Sequence, residues 1–357
     1  MVAELPEHGS GMIRAAVIGL GAIGRHHVRV YGEVAGVELA AVADVSEDVV
    51  ARTVRNRHFA GFTDVEELVE RARPTIATVA VPTSSHHDVV LQLVERGVHV
   101  LVEKPIATSV AEARSMIAAA ARHDVRLMVG HIERFNPAIV ELKRRIAQAG
   151  AIYHVSARRV GPFPDRIRDV GVVVDLASHD IDAMRFLLER PVERLYAETA
   201  RRIHTAHEDM IVGSLRFAGG TIGSLDVNWL TPTKIRELSV VGQFGTFVAN
   251  YLTQDLAFYE NSAVDIAWDG LATLKGISEG NLTRYSFPRK EPLRAEIESF
   301  VEYVRDGGDC PASPEDATEA LAIALDLIES ARTRTPVNRL VDHLALEGDA
   351  VIEGETL

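Results

Sequence analysis

The chain has 357 residues and a formal net charge of −13 at pH 7, with 47% hydrophobic and 25% charged residues. This composition is typical of a folded protein with room for two domains, and the acidic balance excludes a polyanion such as DNA as its main partner. A single cysteine, Cys310, excludes an internal disulfide and a cysteine-rich metal site. Residues 1–12 lack the features of a secretory signal and no apolar run reaches membrane length, so we expect a cytoplasmic protein without a membrane partner.

A glycine-rich turn follows the first predicted strand, at residues 13–18, and opens a helix that extends to Val34. In this strand-turn-helix context Gly19 permits a tight turn, Gly21 lets the backbone approach a pyrophosphate, and Gly24 allows close packing of helix on strand. The turn therefore predicts a dinucleotide site, with cofactor-binding residues Gly19, Gly21, Ala22, Ile23 and Gly24.

An acidic residue ends the second predicted strand, at residues 37–42. Asp44 lies about 20 residues beyond the last glycine, where a carboxylate accepts hydrogen bonds from the ribose hydroxyls. The same charge repels a 2′-phosphate, and no Arg or Lys follows at positions 45–47 to neutralise one. The sequence therefore favours NAD over NADP.

The loop at residues 82–87 follows a predicted buried strand at 75–81, after predicted helices at 47–55 and 63–72. It ends that strand at the sheet edge where the glycines lie, so Pro82, Thr83 and His86 are predicted to cover the dinucleotide. His86 and the next residue, His87, have no Cys, Asp or Glu partner at metal-ligand spacing. We therefore interpret them as loop and capping residues and expect no metal.

A further apolar strand begins at Val98, after a helix predicted at 88–96, and ends in Glu103, Lys104 and Pro105. Successive strand residues point to opposite faces, so the glutamate and the lysine address different neighbours. The proline restricts the lysine backbone, which makes Lys104 the first candidate for catalysis. The alternative is that a polar residue simply ends the strand before a proline.

Alternating short strands and helices continue, with a helix at 110–123 and a strand at 126–129. This alternation predicts right-handed crossovers and a doubly wound parallel sheet, in a domain spanning residues 13–131. Residues 1–12 are predicted to be flexible.

Arginines cluster at the start of the second half, after a helix predicted at 137–149. Arg158 and Arg159 end a predicted strand at 151–160, and Arg166 and Arg168 lie in the loop that follows. Arginine forks suit a diphosphate, so this group either binds an anionic ligand or consists of surface arginines paired to acids.

The helix predicted at residues 172–188 carries a polar stripe. Asp175, His179 and Asp182 are spaced i, i+4 and i+7 and share one face. A carboxylate one turn before a histidine can orient the ring and stabilise the imidazolium, as a base for a hydroxyl proton requires. Asp180 is a third acid on the same helix, so the role of Asp182 stays open between ligand binding and structure.

Strand-like runs then follow one another, separated by glycine turns, before helices predicted at 293–304 and 314–331. They predict a large, mostly antiparallel open sheet in an α+β domain spanning residues 132–340, followed by an acidic tail at 341–357. The predicted strands occupy residues 192–200, 210–217, 221–229, 235–241, 246–250 and 256–259. Helices on one face leave the other for a homodimer or homotetramer. Four residues at strand ends are predicted to line the substrate pocket, namely Asn228, Trp229, Lys234 and Arg236, although core packing is the expected role of Trp229.

These motifs together resemble the Gfo/Idh/MocA oxidoreductases. The resemblance rests on GLGAIG with Asp44, the loop VAVPTSSHH, the EKP tripeptide and the D-x-x-x-H spacing. It implies an α/β fold with a Rossmann domain that binds a nicotinamide cofactor, and a second domain whose open sheet forms oligomers. It also implies that Lys104 binds the cofactor and polarises the substrate hydroxyl, that His179 accepts its proton, that Asp175 binds and orients substrate, and that Glu103 lies on the cofactor side.

Three further segments resemble UDP-N-acetylglucosamine 3-dehydrogenases and related nucleotide-sugar 3-dehydrogenases: GHIERFNPAIVELK, ARRVGPFPDRIRDVGVVVDLASHDID and NWLTPTKIRELSVVG. This resemblance implies oxidation at C3 of a UDP-linked N-acetylhexosamine. The implied substrate-binding residues are Lys104, Asn136, Arg158, Arg166, Asp175, His179 and Lys234. Three alternatives stay open: an inositol or free-sugar dehydrogenase, a sugar–sugar oxidoreductase that retains its cofactor, and a cofactor-sensing regulatory protein.

Overall fold

The computed structural model describes residues 12–164, 170–204, 206–266 and 274–339. The amino-terminal residues 1–11, the predicted acidic tail, and both Arg166 and Arg168 lie outside the described residues.

The first sheet is parallel and has six strands in the order β3-β2-β1-β4-β5-β6. The strands are β1 (Ile13–Ile18), β2 (Val37–Ala43), β3 (Ala60–Phe62), β4 (Ile76–Val79), β5 (His99–Glu103) and β6 (Leu127–Gly130). The helices between them are α1 (Ala22–Tyr31), α2 (Glu47–Val54), α3 (Val65–Ala72), α4 (His86–Val94) and α5 (Val110–Arg122). The predicted doubly wound fold is confirmed. β3 was not predicted, because three residues carry too little hydrophobic pattern.

Both faces of this sheet are buried, which explains its near-continuous apolar strands. Val100, Leu101 and Val102 of β5 have no exposed surface, and they alternate between two cores on opposite faces. The charged pair that follows is therefore delivered to the carboxyl edge by a fixed, buried strand.

The second sheet has nine strands in the order β14-β13-β12-β11-β7-β10-β9-β8-β15. They are β7 (Ile152–Pro162), β8 (Val192–Ala200), β9 (Met210–Phe217), β10 (Ile222–Asn228), β11 (Leu230–Gly242), β12 (Gly245–Asn250), β13 (Asp255–Ile266), β14 (Leu274–Tyr285) and β15 (Val337–Asn338). The pairing of β7 with β10 is parallel and the others are antiparallel, as predicted for a mostly antiparallel sheet. β14 and β15 were not predicted, and β11 and β13 are longer than predicted.

The helices of the second half are α6 (Pro137–Arg145), α7 (Ser178–Leu188), α8 (Pro292–Asp306) and α9 (Pro314–Thr333). On β7, Val155 and Ala157 belong to the core that also holds residues of α6, α7 and α9, while the alternating Ser156 and Arg158 lie on the other face of the sheet. One face of the sheet is therefore covered by helices.

The two carboxyl-terminal helices pack against the first sheet, and α9 also packs against the second. Leu293 and Ile297 of α8 share a core with Val17 of β1. Leu321 of α9 packs in a core of the first sheet, and Leu327 of the same helix packs in that of the second. Among the described residues, no helix combines the length and apolar character needed to cross a membrane.

Candidate active site

The glycine turn has the geometry that the motif predicted. Gly19 has a φ of +89°, and a Cβ there would lie 2.5 Å from the carbonyl of Ala80; a Cβ on Gly24 would lie 1.8 Å from the Gly19 oxygen. A Cβ on Gly21 would meet nothing within 4 Å. This open space lies at the amino terminus of α1, which has no side-chain cap hydrogen bond, so the first amides of the helix can bind a phosphate. The turn therefore fits a dinucleotide.

Asp44 braces the same turn. Its Oδ2 accepts a hydrogen bond from the Leu20 amide at 2.8 Å, and its Oδ1 accepts one from the Ser46 amide at 3.0 Å. Each carboxylate oxygen has a second lone pair for a ribose hydroxyl. The negative charge at this strand end agrees with NAD, whose 2′-hydroxyl is a donor, rather than NADP.

His86, a predicted cofactor residue, is corrected to a structural one. It is 1% exposed, and its ring nitrogens lie 2.9 Å from the Pro105 carbonyl oxygen and 3.0 Å from that of Val81. Burial lowers its pKa, so the ring is neutral and joins two loops of the sheet edge. Pro82 is exposed and Thr83 half-buried on that edge, where both remain candidates for a cofactor contact.

Glu103 and Lys104 point to different neighbours, as the strand alternation predicted. Glu103 Oε1 lies 2.8 Å from His27 Nε2 on α1. Lys104 Nζ donates to Asp175 at 2.6 Å from its carbonyl oxygen and 3.1 Å from its Oδ1. The bond between Lys104 and Pro105 is cis. One residue of the pair ties the sheet to a helix of its own domain, and the other reaches the second half of the chain.

The segment with the polar stripe is not one regular helix. A π-helical turn, Val173–Ala177, precedes α7, and Asp175 lies in it. Such turns are frequent at functional sites. Within the described residues, Nδ1 of His179 is buried without a hydrogen-bond partner. One predicted role of Asp175, holding the ring of His179, is therefore corrected, because its carboxylate contacts Lys104 instead, whereas its role in binding substrate stays a prediction.

The surroundings of His179 keep its imidazole neutral. Burial lowers its pKa well below the ordinary 6.5, and the positive charges of Lys104, Arg159 and Arg236 lower it further. A neutral imidazole can accept a proton. Lys104 contacts Asp175, which lies four residues before His179, so the two predicted catalytic residues, distant in sequence, belong to the same part of the structure.

A buried network of ion pairs lies next to the site. Arg159 donates to both carboxylate oxygens of Asp180, at 2.7 and 3.0 Å, and to Glu133 at 3.0 Å. Asn136 is 2% exposed, donates to Glu133 and Tyr251, and caps α6. The predicted substrate role of Asn136 is therefore corrected to a structural one, because its amide is buried and already used.

Asp182 belongs to a second structural network, which decides between its two predicted roles. Its carboxylate accepts hydrogen bonds from Arg134 at 2.8 and 2.6 Å, and it is 1% exposed. Arg134 also donates to Asp316 on α9 at 3.1 Å. The acid therefore joins α7 to its neighbours.

A cavity of about 260 Å³ lies between β7, β11 and the π-helical turn. The residues that line it include Arg159, Phe163, Asp175, Trp229, Lys234 and Arg236. Lys234 is thus placed where the sequence predicted. Trp229 is 3% exposed and packs in the core as expected, with an edge on this cavity.

Arg158 lies on the other face of the second sheet. Its side chain is 55% exposed and its Nε lies 3.4 Å from Asp226 Oδ2. Its predicted substrate role is corrected, because the strand alternation that buries Arg159 turns Arg158 away from the cavity. Arg166 lies outside the described residues, so its predicted role stays a prediction.

A larger cavity, of about 1100 Å³, lies between α1 and α2. It touches the glycine turn at Leu20 and Gly21, but none of the predicted catalytic residues lines it.

Sequence reasoning missed two contributors: His27 and Arg159 as a network centre. The signal for His27 was its position one turn after Gly24 on the helix that the motif opens. Arg236, predicted to line the substrate pocket, lines the smaller cavity, but its place beside Arg159 depends on the pairing of β11 with β7 and could not be read from the sequence.

Known proteins match the chain over both halves. Residues 13–131 match an oxidoreductase family with an NAD-binding Rossmann fold, and residues 110–248 match the GFO/IDH/MocA C-terminal domain. UDP-N-acetylglucosamine 3-dehydrogenase from Acidithiobacillus ferrooxidans is 29% identical over 290 residues, or 81% of this chain and 88% of the relative. Inositol 2-dehydrogenase from Rubrobacter xylanophilus is 26% identical over 338 residues, or 92% and 93%.

Solved structures agree. The Acidithiobacillus ferrooxidans UDP-N-acetylglucosamine 3-dehydrogenase GnnA superposes with a TM-score of 0.79 at 25% identity, covering 90% of this chain and 98% of the other. The WlbA dehydrogenase from Bordetella pertussis, solved with NADH and UDP-GlcNAcA, has the same fold, with a TM-score of 0.75 at 23% identity over 93% and 100%. Domain matches across residues 13–248, together with the NAD-type glycine turn, show that the chain is an NAD-dependent oxidoreductase that belongs to the Gfo/Idh/MocA family.

Proposed function

We propose that the protein oxidises a secondary alcohol of a sugar, namely C3 of a UDP-linked N-acetylhexosamine. The observation that carries this proposal is the meeting of Lys104, held by Asp175, with the buried neutral His179 at the carboxyl edge of the first sheet. Ligands bind at this edge in open α/β sheets.

Lys104 and His179 act on the substrate hydroxyl in different ways. Lys104 donates a hydrogen bond to the substrate oxygen and stabilises the negative charge that develops on it. His179, whose lowered pKa keeps it unprotonated at neutral pH, accepts the hydroxyl proton. Asp175 holds the lysine ammonium in place through two oxygens. NAD⁺ at the glycine turn would supply the hydride acceptor.

Relatives support the substrate class. One that is 29% identical is named for C3 oxidation of UDP-N-acetylglucosamine, and the cavity carries Lys234 and Arg236, which suit an anionic ligand. An inositol is the second candidate, because a relative of similar coverage is an inositol 2-dehydrogenase. Both candidate reactions oxidise a secondary alcohol, so the proposed roles of Lys104 and His179 suit either substrate.

We further propose a homodimer or homotetramer through the open face of the second sheet. Val212, Ile222, Tyr259 and Leu282 expose 42–50% of their surface on strands of this sheet, and apolar surface of this kind is usually covered. Light scattering after size exclusion should give a mass of at least two chains. A monomer at micromolar concentration would contradict this part of the proposal.

The deciding experiment mixes purified protein and NAD⁺ with UDP-N-acetylglucosamine, N-acetylglucosamine, glucose, myo-inositol and scyllo-inositol, and follows reduced nicotinamide. We expect turnover with the UDP-sugar and a product oxidised at C3, identified by mass spectrometry and NMR. Turnover with an inositol alone would replace the UDP-sugar proposal by the second candidate. Absence of turnover throughout the panel, with NAD⁺ binding intact, would contradict both.

A further inference from the structure

Two arginines lie side by side on the helix-covered face of the second sheet, and they differ in their partners. Arg159 of β7 and Arg236 of β11 are register neighbours. Arg159 is 1% exposed, is paired with Asp180 and Glu133, and stacks 4.9 Å over the Tyr251 ring. Its charge is fully compensated within the protein.

Arg236 has no such compensation. Among the described residues, no hydrogen bond or ion pair reaches its guanidinium, although the side chain is half-buried and lines the cavity. The nearest carboxylates are already used, because Glu133 and Asp180 bind Arg159 and Asp175 binds Lys104. A partly desolvated guanidinium normally pairs with an acid, so Arg236 has donors directed at a space where a ligand can bind.

The position of Arg236 limits where the anionic group of a ligand lies. Asp175, which holds Lys104, lines the same cavity as Arg236. Arg236 is also among the positive charges that lower the pKa of His179, and burial lowers its own pKa. A group bound to Arg236 therefore lies in the cavity that Asp175 also lines, next to the residue that holds Lys104.

We propose that Arg236 binds an anionic group attached directly to the oxidised ring, either an anomeric phosphate or a ring carboxylate. The inference rests on the proposed function for the identity of the ring, but not for the presence of an anion site. Arginine binds both groups through two parallel hydrogen bonds, which a lysine at this position cannot make.

Calorimetry on the NAD⁺-loaded protein provides the test, because binding is measured whether or not turnover occurs. The probes are UDP, UDP-N-acetylglucosamine, glucuronic acid and the neutral N-acetylglucosamine. The variants are Arg236→Met and Arg236→Lys, with Arg158→Met on the opposite sheet face as the matched control. Arg158 lies on the face of the sheet opposite the cavity and does not line it, so this control removes an equal charge from the same sheet.

We expect Arg236→Met to weaken binding of the charged probe about 30-fold and to change the neutral sugar much less. Loss confined to UDP and UDP-N-acetylglucosamine identifies a phosphate, and loss confined to glucuronic acid identifies a carboxylate. Partial recovery in Arg236→Lys, with Arg158→Met unchanged, supports an ion contact rather than a packing role. Equal affinity of wild type and Arg236→Met for all charged probes would overturn the inference, and so would equal losses in Arg158→Met.

If the probes bind as expected and the substrate panel gives no turnover, the anion site stands and the proposed function fails. If UDP-N-acetylglucosamine turns over and Arg236→Met leaves its kcat/KM unchanged, the proposed function stands and the anion site fails.

Discussion

Glu103 and Lys104 are neighbours at the end of β5, but they lie on opposite sides of the strand and in different surroundings. On one side, which we call the acid side, Glu103 lies with His27 and Glu296, whose ligand atoms are within 4.8 Å of one another. On the other, the cation side, Lys104 lies with Asp175 and His179. The end of one strand therefore contributes a residue to each of two clusters, one mainly acidic and the other mainly cationic.

On the acid side, Glu296 is buried and protonated. Glu296 is 0% exposed, and neither of its carboxylate oxygens has a hydrogen-bond partner among the described residues. Burial and the charge of Glu103 raise the pKa of Glu296 well above its ordinary value. Burial also opposes ionisation of Glu103, but the hydrogen bond from His27 and the charge of Lys104 outweigh it and lower its pKa. One acid is therefore ionised and the other neutral.

On the cation side, Lys104 is paired with Asp175, which lines the cavity between β7 and β11. The lysine has two oxygen acceptors from one residue, and the histidine is neutral because it is buried near other cations. The difference teaches that adjacent residues of one tripeptide can serve separate purposes: Glu103 holds its domain together, and Lys104 reaches the second half of the chain, where we propose that it contacts substrate.

The largest effect should follow removal of the lysine. Lys104→Ala should lower kcat by about 10³-fold, because the developing oxyanion loses its charged donor. NAD⁺ affinity, measured by calorimetry, should stay within about threefold of wild type. Lys143→Ala is a matched control, because that lysine also donates to a backbone carbonyl but lies on α6. A collapse of NAD⁺ binding in Lys104→Ala would make it a cofactor residue instead.

His179→Asn should lower kcat by about 10²-fold, as expected for loss of a general base. In the wild type, protonation inactivates the base, and because its pKa is lowered, the acid limb of kcat/KM should lie well below pH 6.5. The limb should disappear in the variant. His154→Asn, on the open face of the second sheet, is the control. An unchanged rate in His179→Asn would exclude the histidine as the base.

Asp175→Asn should have a smaller effect, about 10-fold in kcat, because the carbonyl of the same residue still accepts from Lys104. Steady-state kinetics of Asp175→Asn beside Asp175→Ala would measure the contribution of the side chain. A loss as large as that of Lys104→Ala would show that the carboxylate itself takes part in the chemistry.

Glu296→Gln should change stability and leave kcat within about twofold. In the unfolded chain this acid ionises above pH 4.5, whereas in the fold it stays protonated, so folding stability falls as pH rises above 4.5. The variant removes that loss. Its melting temperature should exceed that of wild type by about 2 °C or more at pH 8 and match it at pH 4. A variant that is less stable at pH 8 would show that the glutamate is ionised and paired, for example with a metal ion.

Much of the fold and part of the site could be predicted because they depend on local patterns. Gly19 and Gly24 are required by the backbone at their own positions, and the divergence of Glu103 and Lys104 follows from strand alternation alone. Residue types and family resemblance predict that Lys104 and His179 serve one site, whereas the direct contact of Lys104 with Asp175 was not predicted.

What could not be predicted depends on pairing between distant segments. Strand alternation places Arg158 and Arg159 on opposite faces, but only the packing of the sheet decides which of the two is buried. His86 and Asn136 look like site residues because they lie in site loops, but their partners come from other loops. Arg236 was predicted to line the substrate pocket, but its lack of a paired acid depends on the register that gives Asp180 and Glu133 to Arg159.

The π-helical turn at Val173–Ala177 places a main-chain oxygen, that of Asp175, 2.6 Å from the Lys104 ammonium. Half of the support for that ammonium is therefore independent of which amino acid occupies position 175. Point substitutions cannot remove it, whereas deleting one residue from the turn would shift the oxygen along the helix axis. In this segment, the number of residues is as much a determinant of activity as their identity.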